Sequence, residues 1–207
     1  GTSLVFLAIL LGMVFVAGID GKLLLKIMGL GAACLPVFWL FLKDYQKSRL
    51  TVFMDPNVDP LGAGYHIIQS KIAIGSGQLF GKGLFNGTQS QLNFLPENHT
   101  DFIFAVVGEE LGFVGSVAIL LLYFLLLYRG VQTAKNARDK FGTLLAAGIT
   151  SMMAFHVLVN VGMTIGIMPV TGIPLPFMSY GVSALTTNLV SIGILLNIQS
   201  RQQKLMF

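Results

Sequence analysis

Long stretches of this chain carry no charged side chain, and short stretches between them hold the charge. No Asp, Glu, Lys or Arg falls in residues 1–19, 27–42, 111–128 or 141–200. A helix needs about 20 mostly apolar residues to cross a bilayer core, so these runs predict spanning helices. Five fit: Thr2 to Ala17, closed by Gly18-Ile19-Asp20-Gly21; Leu23 to Leu42; Asp101 to Tyr128, with Arg129 at its end; Leu144 to Ile167; and Val182 to Ile198. Pro169, Pro174 and Pro176 interrupt the longest run and predict a hairpin over residues 168–181. The fold class expected is all-α, a polytopic transmembrane helical bundle. Two spans lie in residues 1–42, an extracytoplasmic loop in 43–100, and three spans in 101–207.

The loop holds most of the soluble-type sequence. Asp55-Pro56-Asn57-Val58-Asp59-Pro60 is turn chemistry, and Gly75, Gly77, Gly81, Gly83 and Gly87 follow it. Tyr65, Ile68, Ile72 and Leu79 recur at near-helical spacing. That spacing predicts a short amphipathic helix, either lying in the membrane interface or packed on the bundle.

Composition sharpens this picture. Of 207 residues, 54% are hydrophobic and 11% are charged, against roughly a quarter charged in a soluble domain. The net charge of +4 is spread over short loops and a tail, so it reports membrane topology and not nucleic-acid binding. Arg129, Lys135, Arg138, Lys140, Arg201 and Lys204 put the 129–140 loop and the tail in the cytoplasm, with the long loop and the proline hairpin outside. Lys43, Lys47 and Arg49 oppose this, but Asp44, Asp55, Asp59, Glu97 and Asp101 balance them. The single cysteine, Cys34, excludes an intrachain disulfide and a Cys-rich metal site. An apolar segment at the very start, with no Met and no basic leader, is expected of the second part of a longer membrane protein.

Candidate chemistry concentrates in Phe94 to Gly112, where the loop becomes a span. Ionisable groups at that depth are costly unless paired or wet, so Asp101, Glu109 and Glu110 stand out. One reading makes Thr100 or Asp101 a helix N-cap, with Glu97 and Glu109 merely interfacial. The other reading is chemical. On a continuous helix Asp101, Ala105, Gly108, Gly112 and Gly115 would share one face, a small-residue stripe open to a neighbouring helix. Glu110 would then fall opposite and Glu109 near a right angle, so a paired-carboxylate arrangement is not expected. His156 is expected to be a core histidine, and His66 and His99 lack metal-ligand spacing. Gly81-Lys82-Gly83 lacks the residues of a phosphate loop.

These residues also resemble a known family. Phe94 to Gly112 is similar to a signature of the shape, elongation, division and sporulation (SEDS) family of bacterial membrane proteins, which includes RodA, FtsW and SpoVE. Gly83 to Leu92 resembles the RodA branch more than the FtsW branch. Gly172-Ile173-Pro174-Leu175-Pro176-Phe177-Met178-Ser179-Tyr180-Gly181 resembles a second signature, from which Val182 departs where a glycine is expected. The resemblance covers all 207 residues, as roughly the C-terminal half of a RodA-like protein.

The resemblance implies a peptidoglycan glycosyltransferase. Such an enzyme polymerises lipid II, a disaccharide-pentapeptide on undecaprenyl pyrophosphate, at the outer face of the bacterial plasma membrane during elongation and rod-shape maintenance. The family's essential acid falls on Asp101 as catalytic base. Arg49, Lys71, Glu97, His99, Thr100, Glu109 and Ser179 are the substrate-binding candidates, and Lys82 is either a phosphate contact or a solvated loop residue. A divalent cation, Mg or Mn, is the cofactor expected to share the pyrophosphate charge. The partners implied are a class B penicillin-binding protein transpeptidase, other elongation-complex proteins and membrane lipids. A lipid II flippase is the rival reading, and a recruiting scaffold a third.

Overall fold

The structure is a computed structural model. It describes residues 2–19, 22, 25, 26, 29, 44–55, 58, 59, 62–92, 94–97 and 99–201. Seven helices are delimited among them: α1 (Thr2–Val16), α2 (Asp44–Met54), α3 (Ala63–Gly77), α4 (Thr88–Gln91), α5 (Ile103–Asn136), α6 (Lys140–Thr164) and α7 (Val182–Ser200). The described residues form no strand, so the architecture is the all-helical bundle expected from the charge pattern. α5, α6 and α7 are long and apolar enough to cross a membrane, and α1 is apolar but only 15 residues long. The expected span Leu23 to Leu42 lies almost wholly outside the described residues.

α6 is the centre of the bundle, with α1 and α5 packed along it and α7 against both α5 and α6. At one end Ala134, Ala146, Met153, Leu195 and Ile198 close a core built of small and flexible side chains. The Asp139 carboxylate caps α6 there, accepting from the Gly142 amide at 3.2 Å. α7 buries a single stripe, Asn188, Ser191, Leu195 and Ile198, which is the helical repeat of a one-sided contact.

Four expectations shift. α5 runs to Asn136, two turns past Tyr128, because Gly130, Thr133 and Ala134 stay buried and the α5–α6 packing continues through them. A Cβ on Gly130 would strike the Thr150 side chain, so glycine is what lets the two helices approach. Residues 44–54, expected as a loop, form α2.

The third concerns the amphipathic helix. α3 packs on α5 through Ala73, Ile74 and Gly77, while the Ser70 hydroxyl donates to the Thr164 carbonyl at the end of α6 at 2.7 Å; Ile72 is exposed, as is Leu79 just past the end of α3. Gly77 sits against the Gly108 carbonyl, and a Cβ on Gly108 would press on Ile74. The small-residue stripe of α5 therefore does admit a neighbouring helix, and that neighbour is α3.

The stripe ends at Gly112. There the backbone adopts φ 66° and ψ −162°, which breaks the helical phase inside α5. Asp101 also precedes the helix, in a turn, so the single face running from Asp101 to Gly115 does not exist.

Candidate active site

Asp101 lies where the loop, the hairpin and the start of α5 meet. Phe102 stands at the N-cap of α5, and no side chain caps that end. The Thr100 hydroxyl donates to Glu97 Oε2 at 2.9 Å, which closes the turn locally. Neither Thr100 nor Asp101 serves as the N-cap of α5.

The turn is held through its backbone. The His99 carbonyl accepts from the Tyr180 amide at 2.8 Å, and the Thr100 carbonyl from the Ser179 hydroxyl at 2.6 Å. The Asp101 carbonyl accepts from Asn160 Nδ2 at 2.8 Å, and the same Asn160 nitrogen donates to Ile173 at 2.8 Å. Three consecutive carbonyls are thus tied to the hairpin and α6, while the Asp101 carboxylate is spent on none of these ties. Asn160 is fully buried, and its Oδ1 has no hydrogen-bond partner among the described residues.

The carboxylate itself faces the hairpin. A Cβ on Gly172, whose φ is +69°, would lie 3.2 Å from Asp101 Oδ2. Burial pushes the Asp101 carboxyl above its usual value of 3.8, and the neighbouring Glu97 charge adds to the shift, while Arg49 and His66 oppose it. A raised carboxyl is a better proton acceptor once ionised.

Arg49 comes from α2 and anchors on the hairpin, with Nη1 donating to the Val170 carbonyl at 3.2 Å. His66, on α3, stacks on Phe102 with ring centroids 5.9 Å apart and planes 9° from parallel. Its Nδ1 is buried without a partner among the described residues. Lys71 is elsewhere: its side chain crosses Gly166 beyond the end of α6, and it is not among the groups that shift Asp101.

Two of the residues expected to contact substrate are built into the frame. Glu109 is 0% exposed. Its carboxylate accepts from Lys82 Nζ at 2.9 Å, the Gln89 amide at 2.9 Å, the Ser90 amide at 3.0 Å and Thr88 Oγ1 at 3.3 Å. A buried carboxylate filled in this way has no capacity left for a ligand, so Glu109 anchors the 82–90 loop. Lys82 is its ion-pair partner. Ser179 is likewise occupied, accepting from the Leu175 amide at 2.7 Å while it donates to Thr100.

Asp101, Arg49, Glu97 and the unforeseen His66 are therefore brought together, with His99 and Thr100 in the adjoining turn. Asn160 was missed as well. A lone amide in an apolar span was its available signal, since such groups bond across helices.

The family model FTSW_RODA_SPOVE, described as a cell cycle protein, matches residues 1–204. The chain belongs to this family. It is 50% identical over 206 residues to the peptidoglycan glycosyltransferase MrdB of Escherichia coli K12, covering 99% of this chain and 56% of that protein. It is 52% identical over 161 residues to the peptidoglycan glycosyltransferase RodA of Treponema pallidum, covering 78% of this chain and 37% of that one. Stage V sporulation protein E of Bacillus subtilis is 46% identical over 200 residues, covering 97% and 52%. The chain thus spans about half the length of the curated relatives it matches. Among solved structures, one described as "Structural coordination of polymerization and crosslinking by a peptidoglycan synthase complex" superposes with a TM-score of 0.75 at 40% identity. That match covers 99% of this chain and 56% of the other. Family membership and the three spanning helices make this a bacterial integral membrane protein.

Proposed function

We propose that this chain is the C-terminal, base-bearing part of a peptidoglycan glycosyltransferase that polymerises lipid II at the outer face of the plasma membrane. The observation that carries the reading is Asp101: a half-buried carboxylate, uncommitted to capping, whose pKa is raised by burial. Its backbone is fixed from α6 and the hairpin, so its position is set independently of its charge. In the reaction Asp101 accepts the proton of an acceptor sugar hydroxyl. The hydroxyl oxygen bonds to the donor's anomeric carbon as the bond from that carbon to the pyrophosphate oxygen breaks. The departing pyrophosphate is a weak base and needs no proton, only positive charge. Arg49, anchored on the hairpin at Val170 and close enough for its charge to act on Asp101, is the candidate to supply it, whereas Lys71 lies away from Asp101 against Gly166.

Among the described residues no group of three His, Cys, Asp or Glu side chains could hold a metal ion. A divalent cation, Mg or Mn, would add positive charge at the departing pyrophosphate. A class B penicillin-binding protein is the partner proposed, in keeping with the polymerising and crosslinking complex to which the fold is similar.

Polymerisation of purified lipid II by the purified full-length protein tests the reading. Asp101→Asn keeps the size and hydrogen-bonding reach of the side chain but cannot take the proton, so the rate should fall by about 100-fold or more while expression persists. Near-normal polymer formation by Asp101→Asn removes Asp101 as base. Lipid II translocation without polymer from the native protein would favour the flippase.

A further inference from the structure

At Gly112 the hydrogen-bond ladder of α5 is opened and a piece of the loop is spliced into it. The carbonyls of Glu109 and Glu110 accept from the Lys82 and Gly83 amides, each at 3.0 Å. The amides of Phe113 and Val114, which a continuous helix would direct to those same carbonyls, donate instead to Gln78 and Leu79 at 2.9 and 3.1 Å. Every group released by the break at these four positions is satisfied again, which is the condition for irregular backbone at membrane depth. Close approach requires the glycines: a Cβ on Gly81 would strike the Glu110 carbonyl, and one on Gly112 the Leu79 carbonyl and the Gly81 amide.

The splice fixes the depth of the loop. Leu111 to Tyr128 is an uncharged run of 18 residues bounded by Glu110 and Arg129. At about 1.5 Å per residue it measures roughly 27 Å, close to the ~30 Å hydrocarbon core. Bonds to residues 109–114 therefore hold segment 78–83 at one boundary of that core. The side chains there are also inside out. Lys82 and the Gln89 and Ser90 amides turn inward to the buried Glu109, whereas Leu79, Phe80, Leu84 and Phe85 are 60%, 82%, 63% and 79% exposed. Phe85 holds φ +62°, rare for a bulky residue, in a turn closed by the Asn86 amide on the Gly83 carbonyl at 3.2 Å. A water-facing loop of this size would show the reverse polarity.

We infer that Leu79, Phe80, Leu84 and Phe85 form a rigid wedge inserted among the acyl chains of the leaflet next to the Asp101 site. The occupant of the exposed apolar surface is lipid, since its depth matches the end of the apolar run and its one charged side chain, Lys82, is turned inward to Glu109. The wedge sets the height of the site above the bilayer: segment 82–90 is pinned on Glu109, and the Leu95 amide, two residues before Glu97, donates back to the Gln89 carbonyl at 3.2 Å.

The test uses full-length protein in phosphatidylethanolamine and phosphatidylglycerol nanodiscs, with native cysteines replaced and one nitroxide at Phe80→Cys or Phe85→Cys. Collision with oxygen, which partitions into lipid, is compared with collision with a water-soluble nickel chelate. Arg138→Cys serves as the aqueous reference and Phe124→Cys as the lipid reference. The inference expects the oxygen-to-nickel ratio at both wedge positions to exceed that at Arg138 by at least about tenfold and to approach that at Phe124. A ratio like that of Arg138 places the loop in water and overturns it. Protection from both reagents means protein covers the patch and overturns it as well. Where a cysteine variant fails to fold, Phe85→Trp in a protein with its other tryptophans replaced gives the same decision. Quenching by acyl-chain bromine supports the wedge, and its absence refutes it.

Discussion

Replacing Glu109 by Gln should loosen one loop without unfolding the bundle. The carboxylate has both oxygens in use, Oε1 toward Lys82 and the Gln89 amide and Oε2 toward the Ser90 amide, and the side chain is 0% exposed. A glutamine of the same shape can offer only one acceptor oxygen. In its better orientation the oxygen keeps the Lys82 and Gln89 bonds and the amide nitrogen faces the Ser90 N–H, donor against donor. A buried N–H left unsatisfied costs about 1–3 kcal/mol. Lys82, partly exposed, also loses its charged acceptor, which adds roughly another 1 kcal/mol after solvent screening. The sum, about 2–4 kcal/mol, corresponds to a rise of roughly 30- to 700-fold in local opening. Hydrogen–deuterium exchange on the full-length protein in nanodiscs reads this at the Gln89 and Ser90 amides. The amides of residues 157–160 in α6 should exchange as before. A change of less than about threefold at Gln89 and Ser90 would show that the loop is not held by Glu109.

Three further outcomes are expected. The rate of lipid II polymerisation should fall as pH drops through the raised pKa of Asp101, because the base acts only when ionised; Glu97→Gln should move that limb to lower pH and Arg49→Ala to higher pH, and a shift of both in one direction refutes the electrostatic account. Gly112→Ala should abolish most of the folded yield, since its φ and ψ belong to glycine and its Cβ meets the loop backbone, whereas Gly75→Ala, with open space around it, should be neutral or slightly stabilising by size-exclusion yield and melting. Asn160→Ala strips the bonds to Asp101 and Ile173 inside the bundle, at about 1–3 kcal/mol for each carbonyl left bare; an unchanged melting temperature in detergent, in place of a fall of roughly 5 °C or more, would contradict this.

The spans were readable because a bilayer imposes one rule along a stretch of sequence, and a run such as Leu111 to Tyr128 satisfies it without reference to the rest of the chain. Asp101 stood out in the sequence for a related reason, as an acid at the edge of such a run. What was not readable depends on partners distant in sequence. Glu109 looked like a ligand contact because its partners, Lys82 and the amides of residues 89 and 90, lie 19 to 27 positions away. Gly112 looked like a packing glycine, since nothing local says that Leu79 and Gly81 occupy the space beside it. His66 was set aside for want of metal spacing, a criterion blind to stacking on Phe102. The apolar spacing Tyr65, Ile68 and Ile72 marked a helix correctly, with Leu79 falling past its end, but pointed to the wrong face for its contact with α5, because glycine and alanine, not large residues, make a close helix–helix seam.

The same distant partners explain how an acid at the mouth of a helix escapes the role such residues usually take. A helix start leaves amides unsatisfied and tends to recruit the nearest carboxylate. Here Phe102 occupies the cap position, so the nearest carboxylate is not drawn into the cap. The preceding turn is fixed instead through the carbonyls of residues 99, 100 and 101, each held by a group from the second motif or from α6. Position and charge are thereby assigned to different residues. Tyr180, Ser179 and Asn160 decide where Asp101 is, while burial first, and then the charges of Glu97, Arg49 and His66, decide how readily it takes a proton. Substitutions in the first group should act through stability and alignment, and substitutions in the second through the pH at which the carboxylate ionises. The two motifs, some 70 residues apart in the chain, are thus two halves of one device: the first carries the acid, and the second frees it from the backbone.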